Sequence, residues 1–265
     1  MGVPAGWYAD PWSLAPLRWW DGTTWTGETA SAQPRQAEPT FDGRALPNAL
    51  GGIAVAIVAA RLVSTFALHQ LSVPAGVYIG LFYSIIFGGL WLTCRSVSRR
   101  FGSGHLSSDF GLAWRPSDLW RGPVVFVVAR LAAGIAMSPW IGHTGRLQRL
   151  TEGLQRVPWT AFVIFSAFAM VAAPLLEELA FRGMLQRILT ARFGPRWAVV
   201  GQAIAFSMYH LTPGLGWDNL PYALGLIGFG LVIGLFARRT RRLGTGCLAH
   251  ALANTFAVII SATSR

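Results

Sequence analysis

The sequence predicts an all-α polytopic membrane protein of about seven transmembrane helices, preceded by a small N-terminal β-hairpin module. Of its 265 residues, 53% are hydrophobic and only 12% are charged, about half the charged share of an average soluble domain. Several apolar stretches approach or exceed the roughly 20 residues that cross a bilayer. The 22 basic residues are all arginine, and most fall between those stretches, where they set membrane orientation. The net charge of +11 is therefore read as topology: a lipid bilayer is the expected partner and nucleic acid is not.

In chain order, residues 1–27 form a separate Trp-rich module. Five of the twelve tryptophans, Trp7, Trp12, Trp19, Trp20 and Trp25, crowd into residues 5–27. Leu17-Arg18-Trp19-Trp20 and Thr23-Thr24-Trp25-Thr26 flank Asp21-Gly22, and Asp-Gly between β-formers predicts a hairpin. An isolated hairpin is marginal in water, so Trp7 and Tyr8 are expected to fold over it. The N-terminus has no basic region followed by an apolar core, so no cleavable signal is expected. Residues 28–48, polar and proline-bearing around Pro34 and Pro39, read as a flexible linker.

Residues 49–265 are the transmembrane domain. Seven spans are predicted near 49–68, 74–94, 123–138, 159–184, 196–211, 219–236 and 246–262. The loops after spans two, four and six hold twelve arginines, whereas those after spans one, three and five hold three, Arg146, Arg149 and Arg156. The positive-inside rule then predicts a multi-pass plasma membrane protein with a cytoplasmic N-terminus and an external C-terminus. Arg61 and Arg130 fall inside spans, where snorkelling, pairing with a carboxylate such as Glu177, or a watery cavity would accommodate them. Gly230 and Gly234 form a small-residue pair that allows close helix approach, here expected against an internal helix. Cys94 and Cys247 match no metal or redox spacing and are read as apolar fillers without a disulfide.

Two adjacent carboxylates, Glu177 and Glu178, close the fourth apolar run. Ionisable groups at membrane depth are expensive and mark functional sites. On a helix Glu178 and Arg182 are four apart in the better order for an ion pair. Glu177, about 100° round the helix, is the acid left over. Span five ends Phe206-Ser207-Met208-Tyr209-His210, and span seven opens His250-Ala251-Leu252-Ala253-Asn254. Imidazole and amide are costly to leave unpaired in hydrocarbon, and one shared interior site would satisfy them together. There, Glu177 and His210 could hold and deprotonate a water, while His250 and Asn254 donate to an oxyanion. Glu177, His210 and His250 are also a zinc set by residue type. No HExxH motif accompanies them, so no metal is expected and zinc stays open as the alternative.

Glu177-Glu178-x-x-x-Arg182, Phe206-x-x-x-His210 and His250-x-x-x-Asn254 resemble the three motifs of the CPBP family, which contains the type II CAAX prenyl proteases and the bacteriocin-processing and self-immunity proteins. The similarity spans about 155–262 and includes Arg239-Thr240-Arg241-Arg242-Leu243-Gly244. It implies an intramembrane glutamic endopeptidase acting on a protein or peptide substrate, also described as metalloproteases. On it, Glu177 with His210 activates water and His250 with Asn254 forms the oxyanion hole, while Glu178, Arg182 and Phe206 are supporting. The alternative is a catalytically silent binding or self-immunity protein using the same cavity. The family's usual site position towards the cytoplasmic side suits Glu177 and His250, whereas His210, some 14 residues into its span, comes out about 20 Å deep. The N-terminal run Gly6-Trp7-Tyr8-x-Asp10-Pro11 with Arg18-Trp19-Trp20-Asp21-Gly22-x-x-Trp25-Thr26 resembles a short Trp-rich domain of unknown function found on bacterial membrane proteins. A bacterial source makes a prenylated substrate unexpected.

Overall fold

The computed structural model describes residues 3–30, 41, 43–140, 155–212 and 216–264. It divides into two compact units, Met1–Pro39 and Thr40–Arg265.

The first unit is a three-stranded antiparallel sheet in the order β1 (Gly6–Ala9), β2 (Leu17–Trp20), β3 (Trp25–Ala30). The β2–β3 hairpin turns at Asp21, whose carboxylate accepts the Thr23 and Thr24 amides. Trp7 and Tyr8 do not fold over this hairpin. They extend it as an edge strand, with Trp7 opposite Trp19 and Tyr8 opposite Arg18, because a third strand satisfies more backbone than a loose flap would. Trp25 is the hub of one face, its ring edge-on to Tyr8, Trp12 and Trp20, and Trp7 packs on Trp19 on the other. Each ring stays at least partly exposed, and among the described residues of the unit Asp10 is the buried one. Its carboxylate accepts the Trp12, Leu14 and Ala15 amides and the Arg18 guanidinium. The Arg18 hydrogen bond, helped by these amides, holds its carboxyl below the usual carboxylate range.

In the second unit six helices are long and apolar enough to cross a membrane: α1 (Ala45–Gln70), α2 (Ala75–Phe101), α4 (Asp118–Met137), α5 (Trp159–Tyr209), α6 (Leu220–Thr240) and α7 (Gly244–Thr263), with the short α3 (Leu106–Phe110) between α2 and α4. The 51 residues of α5 are two limbs broken at Gly194, whose φ of 81° and ψ of 165° are non-helical, just before Pro195. That pair is the reason seven predicted spans appear as six helices. The limbs run antiparallel: Leu189 lies against Gly201, and Phe181 packs on Phe206 and Tyr209.

Several predicted boundaries move. β3 runs to Ala30 and α1 begins at Ala45, each a few residues into the predicted linker. α2 continues past Arg95, Arg99 and Arg100 to Phe101, and the first limb of α5 continues past residue 184 to the Gly194 break. Charge ends a membrane span but not a helix, since an arginine is a good helix former in water. Arg146 and Arg149 lie outside the described residues.

Small residues set the helix spacing. Thr93 lies against Gly52 and Ala56 against Gly89, which draws α1 and α2 together. Gly225 and Gly228 face Met137, Ala132 and Ala133 of α4. On the other side of α6, Gly230 meets Ala203 and Arg182, and Gly234 meets Gln202 and Gln186. The Gly230/Gly234 pair thus serves an internal contact with α5. Arg61 donates to the Leu211 carbonyl at 3.2 Å, and Arg130 lies over the Phe256 ring at 5.7 Å. Neither pairs with Glu177, because each finds an acceptor or a ring nearer its own helix. Cys94 and Cys247 are buried free thiols.

The connections on the arginine-rich side are stitched together. Asp109 accepts the Ser98 hydroxyl and the Ser103 and Gly104 amides. Phe110 is buried beside Gly183 and stacked on Phe41. The α6–α7 turn, with Arg241 at φ 57°, is fixed by three backbone carbonyls: Arg187 donates to that of Arg241, the Leu243 amide to that of Gly111, and the Gly244 amide to that of Ala113. Asp118, opening α4, accepts the Arg115 amide, the Arg242 guanidinium and the Thr245 hydroxyl. Arg242 and Thr245 flank the first residue of α7, so this clamp sets where α7 starts and therefore where His250 falls.

Candidate active site

Glu177 and Glu178 sit where α5 changes its winding. Phe168–Ala172 and Glu178–Leu185 are wide π turns, with one α turn, Ala173–Glu177, between them. Such turns are rare, recur at functional sites and leave carbonyls out of the regular ladder. One of these, Ala169, accepts the Asn254 amide at 2.7 Å.

His250 stands between the two glutamates. Its Nδ1 is 3.0 Å from Glu178 Oε1 and its Nε2 is 3.8 Å from Glu177 Oε2. Glu178 Oε1 also accepts from Arg182 at 3.0 Å. The predicted Glu178–Arg182 pair is therefore present, with the imidazole as a third member. His210 approaches from the second limb, placing Nε2 3.7 Å from Glu177 Oε2. Its Nδ1 lies 2.8 Å from the Phe206 carbonyl. A carbonyl only accepts, so Nδ1 carries the hydrogen and Nε2 of the neutral ring presents a lone pair. A carboxylate fixes His250 in the same way. Glu177 Oε2 is buried without a hydrogen-bond partner, with an imidazole Nε2 on either side.

Phe206 separates the two histidines. Its ring is edge-on to His210 at 4.6 Å and to His250 at 5.8 Å, and the Arg182 guanidinium lies 4.1 Å over it. Asn254 is one turn beyond His250, with one amide hydrogen spent on Ala169 and the second left over. Glu177, Glu178, Arg182 and His250 are buried, whereas the His210 side chain is 24% exposed, so the site opens on the His210 side.

The depth of His210 follows from the hairpin. Arg187 bonds the α6–α7 turn at Arg241, so the tip of α5 around Gly194 projects beyond that level. Glu177 is ten residues from Arg187, about 15 Å along the helix, and His250 is six from Gly244, about 9 Å. Counting from the tip overstates the depth of His210, because the tip stands clear of the turn.

Two neighbours carry no motif. The Tyr209 hydroxyl lies near the Glu177 carboxylate, and Tyr83 of α2 stacks on Phe168 in the same neighbourhood. Tyr209 precedes His210 and was within reach of a sequence argument. Tyr83 arrives from a helix with no motif, and no spacing points to it.

Glu177, His210 and His250 offer the right atoms for a metal, but their separations of 3.7 and 3.8 Å exceed the roughly 3.3 Å between ligands of a tetrahedral zinc. Among the described residues no group of three His, Cys, Asp or Glu is set to hold a metal ion.

Residues 158–256 match the family model of the type II CAAX prenyl endopeptidase Rce1-like proteins, and residues 5–38 match that of DUF2510, a domain of unknown function. No curated protein and no solved structure matches the chain. The matched segment contains Glu177, His210, His250 and Asn254. Residues 158–256 of the membrane unit are thus similar to the Rce1-like CAAX endopeptidases, and the N-terminal module is similar to DUF2510.

Proposed function

We propose that the protein is an intramembrane endopeptidase of the glutamic type, in which Glu177 and His210 activate one water. The observation that supports this most is Glu177 Oε2, buried and unpartnered between two imidazole Nε2 atoms at 3.7 and 3.8 Å. A water seated there can donate one hydrogen to Glu177 and the other to His210. Its oxygen then attacks the peptide carbonyl carbon as Glu177 takes the proton. The carbonyl becomes an oxyanion facing His250 and the free amide hydrogen of Asn254. To donate through Nε2, His250 enters this step as an imidazolium, because its Nδ1–H is already held by Glu178. Collapse breaks the C–N bond, and the proton moves by way of Glu177 or His210 to the leaving nitrogen. Tyr209 stands beside the Glu177 carboxylate, and Phe206 keeps the two imidazoles apart.

The substrate is a protein or peptide tail that reaches the site from the His210 side. The arginine-rich connections lie in the cytoplasm and the N-terminal module with them. The test is cleavage of a reporter peptide library by membranes bearing wild type or His210→Ala, with and without a strong chelator. Cleavage by wild type that resists the chelator and is lost in the variant is expected. Loss to the chelator would point to zinc, and equal cleavage by both proteins would remove the mechanism.

A further inference from the structure

Among the described residues, six buried side-chain polar atoms lack a hydrogen-bond partner. One is the reactive Glu177 Oε2. The other five are Glu178 Oε2, Arg182 Nε and Nη2, Gln186 Oε1 and Gln202 Oε1, and they fall along one line. Residues 178, 182 and 186 are spaced four apart along α5, and Gln202 faces them from the returning limb. The glycines of the facing helices mark the same line. Gly246 lies beside Glu178 Oε2, Gly230 beside Arg182 Nη2, and Gly234 between Gln186 and Gln202.

Both glutamines have committed their nitrogens. Gln186 donates to the Gly234 carbonyl at 3.0 Å, and Gln202 donates to the Gly230 carbonyl at 2.9 Å and to that of Val199 at 3.0 Å. Their oxygens are left as acceptors, beside two guanidinium N–H groups left as donors, none within bonding range of another. Each orphan left dry costs the desolvation of its polar group, and five together weigh heavily against the small net stability of a fold. Mixed donors and acceptors at this spacing are the setting in which a buried water makes its two to four bonds.

We propose that this line is a water-binding seam between α5 and α6, which solvates the Glu178–Arg182 ion pair from the arginine-rich side. It opens at Arg187 and Thr190, where the helix is partly exposed. Its inner end is the Glu178 carboxylate, whose other oxygen binds His250 Nδ1 at 3.0 Å, and the Phe206 ring packs beside Arg182 and both histidines there. A water on Glu178 Oε2 supports the carboxylate that holds His250 Nδ1; this consequence rests on the function proposed above, whereas the seam does not.

The test is magnetic resonance on the full chain in lipid nanodiscs with nitrogen-labelled glutamine. The side-chain amides of Gln186 and Gln202, 3% and 0% exposed, should receive magnetisation from water and exchange into heavy water within minutes. Gln186→Leu and Gln202→Leu assign the two signals by removing them. Amides without water contact and protected for days would overturn the seam, and that measurement needs only the wild type. In the double leucine variant, peptide cleavage should fall about tenfold; unchanged cleavage would overturn the link to His250. Hydrated amides in a wild type that cleaves nothing would support the seam and sink the enzyme.

Discussion

In the proposed mechanism a single atom, Glu177 Oε2, concentrates the chemistry, and its neighbours carry separable roles. Removing the Asn254 amide takes away one oxyanion donor and leaves the water and its base in place. Asn254→Ala should therefore cut the cleavage rate about 100-fold or more with little change in KM, read from steady-state kinetics on a reporter peptide. It also releases the Ala169 carbonyl, so a thermal melt of the same variant separates lost chemistry from lost packing. Asp109 shows a residue acting on stability alone. Burial pushes its carboxyl up, but hydrogen bonds from the Ser98 hydroxyl and the Ser103 and Gly104 amides outweigh this, and the net shift is downward. A carboxyl depressed in the folded state adds stability above its unfolded value, about 3.9, and loses it as pH falls through the folded value. Asp109→Asn should weaken the fold at neutral pH and reduce the loss of melting temperature on acidification below about pH 4. An unchanged acid limb would contradict this.

At the scale of the element, α5 was only partly legible. Its apolar runs announced two spans, and they did not reveal that the helix stays intact for some nine residues beyond the apolar stretch before it breaks. Hydropathy reports where lipid is, while the break is written in Gly194-Pro195. With φ 81° and ψ 165°, Gly194 occupies a region that side chains enter only at a cost of about 1–3 kcal/mol. Gly194→Ala should destabilise the membrane unit by that amount in a denaturant titration and, by shifting one limb against the other, lower cleavage through the Glu177–His210 separation. The π turns were illegible for another reason. They arise from packing against α2 and α7 and have no composition of their own, yet they let two successive glutamates reach the two nitrogens of one imidazole. Regular α winding would turn Glu177 and Glu178 about 100° apart, whereas both approach His250.

Over the whole molecule, helix count, internal use of Gly230 and Gly234, and convergence of three polar motifs were readable, because each is a local pattern with a strong membrane cost behind it. The partners of Arg61 and Arg130 were not, since a backbone carbonyl and a ring face carry no sequence signal. The Trp-rich module was half readable: its Asp-Gly turn gave the hairpin, whereas the third strand needed tertiary context. Orientation is tested by fusing a periplasm-dependent phosphatase at either end of the chain. Activity from the C-terminal fusion alone is expected, and activity from the N-terminal fusion alone would invert the topology.

The most direct measurement uses purified protein in liposomes. Glu177→Gln keeps the side chain's size and removes only its capacity to take a proton. Peptide cleavage should fall by about a thousandfold or more while the melting temperature holds. Cleavage by the folded variant within a few-fold of wild type would contradict a water activated at Glu177.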